Sequence, residues 1–589
     1  MAESSAKAKT MGSLGRVLAS FGSRWQIMLK SAVSLLLLTV ANALTPQLFR
    51  WGIDQGITQN DLAVVLYSAA AMVVLALARG LFNFGQNFWS EAASQAVAYD
   101  LRNTIFKKIE NLSFSYHDQA QTSQLLTRIT SDVEQIRTFI GTAFIQVIGS
   151  FLTVMTISII LLVMNWQLAL VTLLIIPFSG WMLFRFFTRN QGIFSLAQEK
   201  LGELNGILQE NLSGIRVVKA FVREPVERAR YQAMNQELMD VNMQTIHAIR
   251  NTFPYIFLGS NLVTLAVVGY GGFKVIGGNF SIGELVAFNS YLLFILQPIL
   301  IIAFSSPVIV QAAASADRVY EVVDAKIDIQ DRPHPLIFQG CHGRITFENV
   351  HFRYPGSTTE ALKGISFETR PQELIAILGM TGSGKSTIMN LIPRFYDVTK
   401  GSIRIDGCDI RDFKLESLRA HIGIVFQEST LFSGTIRDNI AYADPHAPLE
   451  KIIQAAQVAQ IHDYILSLPE GYLTPVGERG LGLSGGQKQR LAIARTLMTD
   501  YSILILDDST SAVDAQTASQ ILLALDDLMR RKTCTAFVIA QRISTIQNAD
   551  RILLMDQGRL VAQGSHQQLM QTSPLYGAIL ESQMQRGLT

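Results

Sequence analysis

Long apolar runs dominate the first half of the chain. A helix needs about 20 residues to cross the hydrocarbon core of a bilayer. Between residues 27 and 310, repeated apolar runs reach this length and are separated by more polar segments. The pattern therefore predicts six membrane-spanning helices, at residues 27–49, 62–84, 140–164, 168–187, 255–276 and 285–308.

The distribution of cationic residues between these spans predicts their orientation, because cytoplasmic loops carry an excess of Lys and Arg. The connections after spans one, three and five offer only Lys274 beyond Arg50, at the end of the first span. The long connections after spans two and four are cationic, with Arg102, Lys107, Lys108, Arg128 and Arg137 in one and Arg189, Lys200, Arg216, Lys219, Arg223, Arg228, Arg230 and Arg250 in the other. Both connections and both termini are therefore predicted to be cytoplasmic.

The two long connections are polar but retain helical apolar spacing, as at Leu101, Ile105, Ile109 and Leu112. About 20 such residues would extend each helix roughly 30 Å beyond the membrane. This pattern favours long helical stalks. The alternative is a set of amphipathic helices that lie on the lipid headgroups.

The second half of the chain has short apolar runs at 374–378, 503–506 and 535–540, which alternate with helical stretches. Such alternation is typical of an α/β domain with a buried parallel sheet. Pro333 and Pro335 lie in the linker between the two halves. The predicted fold is an α-helical membrane domain at residues 1–325, a linker at 326–343 and an α/β nucleotide-binding domain at 344–589.

Composition narrows the choice of partners and location. Charged residues make up 16% of the chain, against roughly 25% in a soluble protein, and the net charge is only +2. This balance does not favour nucleic acid as a partner. The three cysteines are too few for a disulfide framework, and no removable signal peptide is expected at the N-terminus.

A phosphate-binding loop follows the apolar run at 374–378 and precedes a predicted helix at 386–392. Its glycines allow backbone N–H groups to surround phosphates, Lys385 adds a positive charge, and Ser386 supplies a hydroxyl group to Mg²⁺. Asp507 ends the run at 503–506 and suits a carboxylate that holds Mg²⁺. The loop consists of Gly379, Met380, Thr381, Gly382, Ser383, Gly384, Lys385, Ser386 and Thr387.

A second motif lies between the phosphate-binding loop and Asp507. With this motif, the chain resembles an ATP-binding cassette (ABC) exporter half-transporter over its whole length. The motif begins at Leu483 and includes Ser484, Gly485, Gly486 and Gln487. The resemblance implies ATP and Mg²⁺ as cofactors. It also implies adenine stacking on Tyr354, a contact of Gln427 with Mg²⁺ and the membrane domain, a D-loop role for Asp514, and a contact of Glu478 with a partner's stalks.

The resemblance further implies that two chains act together. In the family, the motif of one cassette closes over the nucleotide held by the other, so Ser484, Gly485 and Gly486 would complete a partner's site. The chemistry is also reasonable by itself, because the motif begins a helix whose first N–H groups can bind an anion.

The chain departs from the family pattern at two catalytic positions. Asp508 stands where a glutamate orients the attacking water, and Gln541 stands where a histidine contacts the γ-phosphate. A carboxylate displaced by about 1 Å can slow chemistry on the order of 100-fold. The interpretation is a slow site in a heterodimer whose other subunit is competent. The alternative is a homodimer with two slow sites.

The expected function is ATP-driven export of amphipathic drugs or lipids across a bacterial inner membrane. The alternatives are a homodimeric lipid flippase and a nucleotide-gated channel or regulator, whereas the six spans argue against a soluble DNA-repair or translation ATPase. Arg79, within span two, is a candidate ligand contact. Aromatic residues that line a cavity or simply pack are Phe84, Phe88, Trp89, Phe257, Tyr291 and Phe294.

Overall fold

The structure is a computed structural model of the full chain, with two compact units. The membrane unit comprises residues 1–110 and 123–324, and the sheet unit comprises residues 111–122 and 325–589. The residues that the structure describes are 12–19, 25–340, 343–507, 517, 520–521, 523–524, 534–539 and 547–587.

Six helical segments of the membrane unit are long and apolar enough to cross a membrane, and they confirm the six predicted spans. The segments cover Trp25–Ile57, Leu62–Asn111, Thr122–Met164, Trp166–Ser213, Glu224–Ile276 and Ile282–Val323. Their α-helices are α1 (Trp25–Trp51), α2 (Leu62–Asn111), α4 (Thr122–Thr127), α5 (Val133–Thr138), α6 (Ile145–Met164), α7 (Trp166–Leu173), α8 (Ile175–Ser213), α10 (Glu224–Ile276) and α11 (Ile282–Val323). Two short helices, α3 (Phe114–Gln119) and α9 (Ile215–Ala220), lie between segments. In the described part of the chain, a π-helical turn at Gly52–Ile57 ends the first segment, and two more, at Arg128–Asp132 and Phe139–Phe144, interrupt the third.

Several helices continue far beyond the length that a bilayer requires. The helix α2 has 50 residues and α10 has 53, which correspond to roughly 75–80 Å at 1.5 Å per residue. The polar connections are thus continuous with the spans, as the stalk interpretation expects. The turn between α6 and α7 is a single residue, Asn165, whose side chain accepts a hydrogen bond from the backbone N–H of Leu168 at 3.2 Å.

The membrane unit has a small apolar core and a broad apolar exterior. Phe288 and Tyr291 of α11 are fully buried in the core. Large aliphatic side chains are exposed on the outside, including Leu77 at 72%, Val163 at 82% and Ile276 at 89%. An exterior of this kind is stable in lipid and costly in water.

The sheet unit contains a six-stranded sheet and a smaller antiparallel one. The order in the large sheet is β12-β11-β3-β10-β9-β6, in which only β12 runs antiparallel to its neighbour. The small sheet has the order β2-β1-β4-β5, and β7 pairs with β8. The strands are β1 (Ile345–Phe352), β2 (Leu362–Glu368), β3 (Leu374–Gly379), β4 (Lys400–Ile405), β5 (Cys408–Asp409), β6 (Ile422–Val425), β7 (Gly434–Thr435), β8 (Pro475–Val476), β9 (Ile503–Asp507), β10 (Thr535–Ile539), β11 (Arg551–Asp556) and β12 (Arg559–Gly564).

Both faces of the large sheet are buried, as the continuous apolar runs predict. Along β3, Ile375 and Ile377 pack into one hydrophobic cluster, whereas Ala376 and Leu378 pack into the cluster on the opposite face. Among the described residues beyond 344, the α-helices of this unit are α12 (Lys385–Leu391), α13 (Leu415–Ala420), α14 (Ile436–Ile440), α15 (Leu449–Val458), α16 (His462–Ser467), α17 (Gly485–Leu497), α18 (His566–Thr572) and α19 (Pro574–Gly587).

The short segment 111–122 belongs to the sheet unit although it lies between two membrane spans in sequence. Phe114 of α3 packs against Phe395 with ring centroids 4.3 Å apart. Asp118 of the same helix accepts a hydrogen bond from the hydroxyl group of Tyr396. These contacts pack α3, which follows α2 in sequence, against the rest of the sheet unit.

The predicted parallel strands are confirmed at β3, β9 and β10, although Ala540 lies outside the described residues. The antiparallel sheet was not predicted. Its strand β1 is buried irregularly, with a register shift between Phe347 and Val350, so it lacks the strict alternation that identifies a strand in sequence.

Candidate nucleotide-binding site

The elements of the candidate site leave the large sheet at one edge. Ile539 of β10 lies opposite Asp507 of β9 and opposite Ile377 of β3, so these parallel strands end at nearly the same level. Val425 of β6 pairs with Leu506 in the same direction. The carboxyl edge of a parallel sheet is where α/β proteins bind ligands.

The phosphate-binding loop joins β3 to α12 with little room for side chains. A Cβ atom on Gly379 would lie 2.2 Å from the carbonyl oxygen of Met555. Gly384 caps α12 at φ +100°, and a Cβ atom there would lie 2.9 Å from the carbonyl oxygen of Ala361. Both positions therefore require glycine, and the backbone N–H groups at the start of α12 remain accessible to an anion.

The polar side chains of the loop are arranged around the same turn. The ammonium group of Lys385 donates to the carbonyl oxygens of Gly379 and Met380, both at 2.9 Å. Ser383 is 2% exposed, and its hydroxyl group has no hydrogen-bond partner among the described residues. Thr381, Gly382 and Ser386 are exposed. A buried hydroxyl group without a protein partner fits a loop that closes on a phosphate.

Ser386 and Asp507 meet where the loop faces the end of β9. The hydroxyl group of Ser386 lies 3.5 Å from the Oδ1 atom of Asp507. Burial raises the pKa of Asp507, and the nearby Ser386 and Lys385 only partly oppose this effect. A half-buried carboxylate beside a hydroxyl group is a suitable pair of oxygen ligands for Mg²⁺. Gln427 is exposed two residues beyond β6, the neighbour of β9, and so fits as a further ligand.

Tyr354 lies next to the loop and is attached to it. Its hydroxyl group is 3.1 Å from that of Thr387, which is buried in α12. Its ring lies edge-on to Phe352, at 4.8 Å, and to Tyr396, at 5.4 Å. This arrangement holds an aromatic ring beside the phosphate loop, as adenine stacking requires.

The second motif forms the exposed start of α17. The backbone N–H of Gln487 donates to the Ser484 hydroxyl at 3.3 Å, and the Ser484 N–H donates to Gln487 Oε1 at 2.8 Å. This reciprocal arrangement is a capping box. Ser484 and Gly485 are exposed and Gly486 is partly exposed. Gln487 was predicted from the sequence to contact the nucleotide. It also stabilises the start of α17, the helix that presents the motif.

Three predicted residues lie outside the part of the chain that the structure describes: Asp508, Asp514 and Gln541. Their predicted roles stay predictions. Glu478 lies exposed in a short 3₁₀ turn, Glu478–Gly480, and no ion pair to a described residue is found for it.

The membrane unit contains a polar cavity around Arg79. The cavity has a volume of about 330 Å³ between α1, α2, α6 and α11. Its wall includes Asn42, Gln146, Gln297 and Phe294.

The other aromatic candidates of the membrane unit separate into two groups. Tyr291 is buried and its hydroxyl donates to the Ala43 carbonyl oxygen, whereas Phe84, Phe88 and Phe257 are at least half exposed and Trp89 lies under the ammonium group of Lys30.

Two features with functional relevance were not predicted from the sequence. One is the attachment of α3 to the sheet unit through Phe114 and Asp118. The other is a larger cavity between α8 and α10 that contains Arg185 and Arg189. The spacing of these arginines, one helical turn apart within an apolar region, was the available sequence signal.

Comparisons with known families agree with this geometry. A family described as the ABC transporter transmembrane region matches residues 28–299, and a family described as ABC transporter matches residues 362–511. The second match includes the phosphate loop, the motif at Ser484 and Asp507.

Individual proteins are similar over nearly the whole chain. An uncharacterized ABC transporter ATP-binding protein of Bacillus subtilis, YknU, is 37% identical over 95% of both chains. An ATP-dependent lipid A-core flippase of Syntrophus aciditrophicus is 34% identical over 92% of this chain and 90% of its own. A solved bacterial Atm1-family ABC exporter with ATP bound superposes with a TM-score of 0.81 and 30% identity, covering 95% of this chain and 98% of its own.

Proposed function

Because the chain belongs to the ABC transporter family, as an exporter half-transporter whose ATPase activity is coupled to transport, we propose that it exports amphipathic compounds as the slow subunit of a heterodimer. The observation that carries this proposal is the combination of intact binding residues, such as Lys385 and Ser484, with Asp508 and Gln541 at the catalytic positions.

The need for a second chain is supported by the exposure of the Ser484 motif. The motif is rigidly capped, and Ser484 and Gly485 face away from the protein interior. Backbone N–H groups presented in this way can bind the phosphates of a nucleotide on another chain. In the proposed pair, this chain lends Ser484 to the competent site and retains ATP at its own Lys385.

A cofactor role for Mg²⁺ is supported by the oxygen ligands at the sheet edge. Ser386, Asp507 and Gln427 would hold the ion, which would neutralise phosphate charge during hydrolysis. Lys385 and the backbone of α12 would hold the phosphates themselves. Binding of ATP then favours closure of the two cassettes, because only the closed pair satisfies both motifs at once.

The proposed cargo is amphipathic, either a drug or a lipid. The Arg79 cavity supports this choice, since it combines a cation and several carboxamides with an apolar wall. One relative is named a lipid A-core flippase, which is consistent with a lipid cargo. The proposed location is a bacterial inner membrane with the sheet unit and both termini in the cytoplasm, in accordance with the cationic connections.

The test of pairing compares ATP turnover by the purified chain with turnover by the reconstituted pair. We expect the isolated chain to bind ATP and hydrolyse it slowly, and a partner with Glu and His at the two catalytic positions to raise turnover at least tenfold. Fast turnover by a verified homodimer would refute the proposal and favour a homodimeric flippase. Uptake of substrate into inside-out vesicles that requires ATP hydrolysis distinguishes a pump from a nucleotide-gated channel.

A further inference from the structure

A cavity of about 720 Å³ lies between α8 and α10 in the membrane unit, apart from the Arg79 cavity. Its volume is within the range of small-molecule sites. Trp181 and Tyr255 lie on its wall and are 56% and 58% exposed. Large aromatic side chains in such a position offer a surface on which an apolar group can stack.

The charged side chains that line this cavity are both cationic. Arg185 and Arg189 line the cavity from α8, and His247 lines it from α10. None of the residues that line the cavity is Asp or Glu. The two arginines are four residues apart, so their side chains are neighbours on one helix face and repel each other.

Other cations on the same two helices are neutralised by carboxylates. Lys200 of α8 forms an ion pair with Glu237 of α10 at 2.8 Å, and Arg230 of α10 pairs with Glu210 of α8 at 3.1 Å. Neither Arg185 nor Arg189 has an ion pair with any residue in the described ranges. The guanidinium group of Arg185 instead lies 5.7 Å from the centre of the Trp181 ring.

We infer that this cavity binds the anionic head group of an amphipathic molecule. A phosphate or carboxylate group lies between Arg185 and Arg189, which can each donate two parallel hydrogen bonds, and the apolar part lies against Trp181 and Tyr255. The bound anion offsets the repulsion between the two arginines. The residues that line the cavity include no carboxylate that could do so. The inference deepens the proposed function, since it rests on export of amphipathic compounds and selects anionic ones.

Two sources supply this chemistry: a phospholipid of the bilayer and an anionic cargo molecule. Arg185 lies near the end of the predicted fourth span, and long cationic side chains near the ends of spans reach the headgroup region. The site is the same for either source, and the composition of the surrounding bilayer distinguishes them.

The experiment measures binding of dodecyl phosphate to the full chain in phosphatidylcholine nanodiscs without nucleotide, with dodecyltrimethylammonium as the cationic counterpart. Trp181 serves as the internal fluorescent reporter, and Trp181→Phe identifies its signal. We expect the phosphate to bind at least tenfold more tightly than the ammonium compound. Arg185→Gln and Arg189→Gln should each weaken phosphate binding on the order of tenfold, as expected for a lost charge-assisted hydrogen bond.

Arg230→Gln is the charge-matched control, because it removes one positive charge from α10 outside the cavity, and it should leave binding unchanged. Arg185→Lys and Arg189→Lys should retain part of the affinity. Binding that is equal for both head groups, or that persists in the Arg185→Gln/Arg189→Gln variant, would overturn the inference. The head-group comparison uses the parent chain and remains decisive if a glutamine variant does not fold.

Addition of phosphatidylglycerol to the nanodiscs identifies the source. Competition by this lipid at the arginine-dependent site supports a bilayer lipid as the occupant, whereas undiminished binding of dodecyl phosphate supports an anionic cargo. The assay needs neither ATP nor a partner chain. If the parent chain shows no binding that depends on the two arginines, this inference fails and the proposed heterodimer is unaffected. A fast homodimeric ATPase overturns the proposed heterodimer alone.

Discussion

The buried hydroxyl group of Tyr396 donates a hydrogen bond to the exposed carboxylate of Asp118, although 278 residues separate them in sequence. Burial, together with the adjacent carboxylate, raises the pKa of Tyr396, so the hydroxyl group remains a donor at neutral pH. Tyr396 also lies edge-on to Tyr354 at 5.4 Å. The contact therefore connects α3, which follows the second membrane helix in sequence, with the aromatic ring beside the phosphate loop.

The first prediction concerns the asymmetry of this pair. Asp118→Ala leaves a buried hydroxyl group without its acceptor and should destabilise the sheet unit by roughly 1–3 kcal/mol. Tyr396→Phe leaves only an exposed carboxylate, which water can solvate, and should cost about 1 kcal/mol or less. Thermal unfolding of the two variants checks the order.

The same variants test whether the contact transmits nucleotide binding to the membrane helices. We expect ATP affinity to change less than about twofold and substrate stimulation of the ATPase to fall roughly fivefold, which corresponds to the loss of about 1 kcal/mol. Tyr472→Phe is the matched control, since it removes a tyrosine hydroxyl group that bonds to His462 elsewhere in the unit. Equal loss of stimulation in the control would show a general effect of stability rather than coupling.

The second prediction follows from the raised pKa of Asp507. Burial disfavours its charged form, so the folded chain retains a proton to higher pH than the unfolded chain does. The ionised carboxylate then costs stability at neutral pH. This cost decreases as the pH falls through the pKa of the folded state, and it is gone below the pKa of the unfolded state. Asp507→Asn should raise the melting temperature of the nucleotide-free protein by about 2 °C at pH 7, equivalent to roughly 1 kcal/mol.

Mg²⁺ should reverse that order. The parent chain gains stability from MgATP through the Asp507 carboxylate, whereas the asparagine variant should gain little from Mg²⁺ beyond ATP alone. Melting curves with ATP, with and without Mg²⁺, at pH 5 and pH 7 measure both effects. A variant that is less stable than the parent at pH 7 without ligands would contradict the assigned cost of burial.

The third prediction separates the two nucleotide sites. Lys385→Ala removes a cationic phosphate contact and should weaken ATP binding on this chain. Ser484→Ala removes the helix cap, at about 1 kcal/mol, and should impair hydrolysis of ATP held by the partner. Photolabelling with an ATP analogue in the reconstituted pair reports which chain binds. The assignment would be contradicted if Lys385→Ala alone abolished hydrolysis at the partner's site while Ser484→Ala had no effect.

Ser484→Asp is the control that separates helix stability from phosphate contact. Its carboxylate can cap the helix as serine does, but its negative charge repels the nucleotide.

The spans and the phosphate loop were predictable because their signals are local. The run that ends at Met164 is long and apolar, and Lys385 stands at a fixed spacing from the glycines that precede it. The attachment of Phe114 to Phe395 was not predictable, since neither residue has a local pattern that indicates a partner about 280 residues away. The cavity with Arg185 was missed because it depends on which faces of two helices meet.

The last prediction concerns restoration of catalysis at the positions that depart from the family pattern. Asp508→Glu should restore the reach of the carboxylate that orients water, but Gln541 would still lack an imidazole group. We therefore expect a partial gain in hydrolysis from Asp508→Glu and a larger gain when Gln541→His is added. Since both side chains are predicted to act on one γ-phosphate, their effects on the activation free energy should be non-additive.

A faster second site need not improve the pump, because long retention of ATP at Lys385 can hold the cassettes together between cycles. Hydrolysis and transport are therefore measured in parallel on the double variant paired with its active partner. A separate sample, in which the partner's site is inactivated, resolves turnover at Lys385. We expect hydrolysis to rise at least tenfold while transport stays level or falls. If a well-folded double variant hydrolyses ATP at the parental rate, Asp508 and Gln541 are not the cause of slow turnover, and the interpretation of this chain as the slow subunit fails.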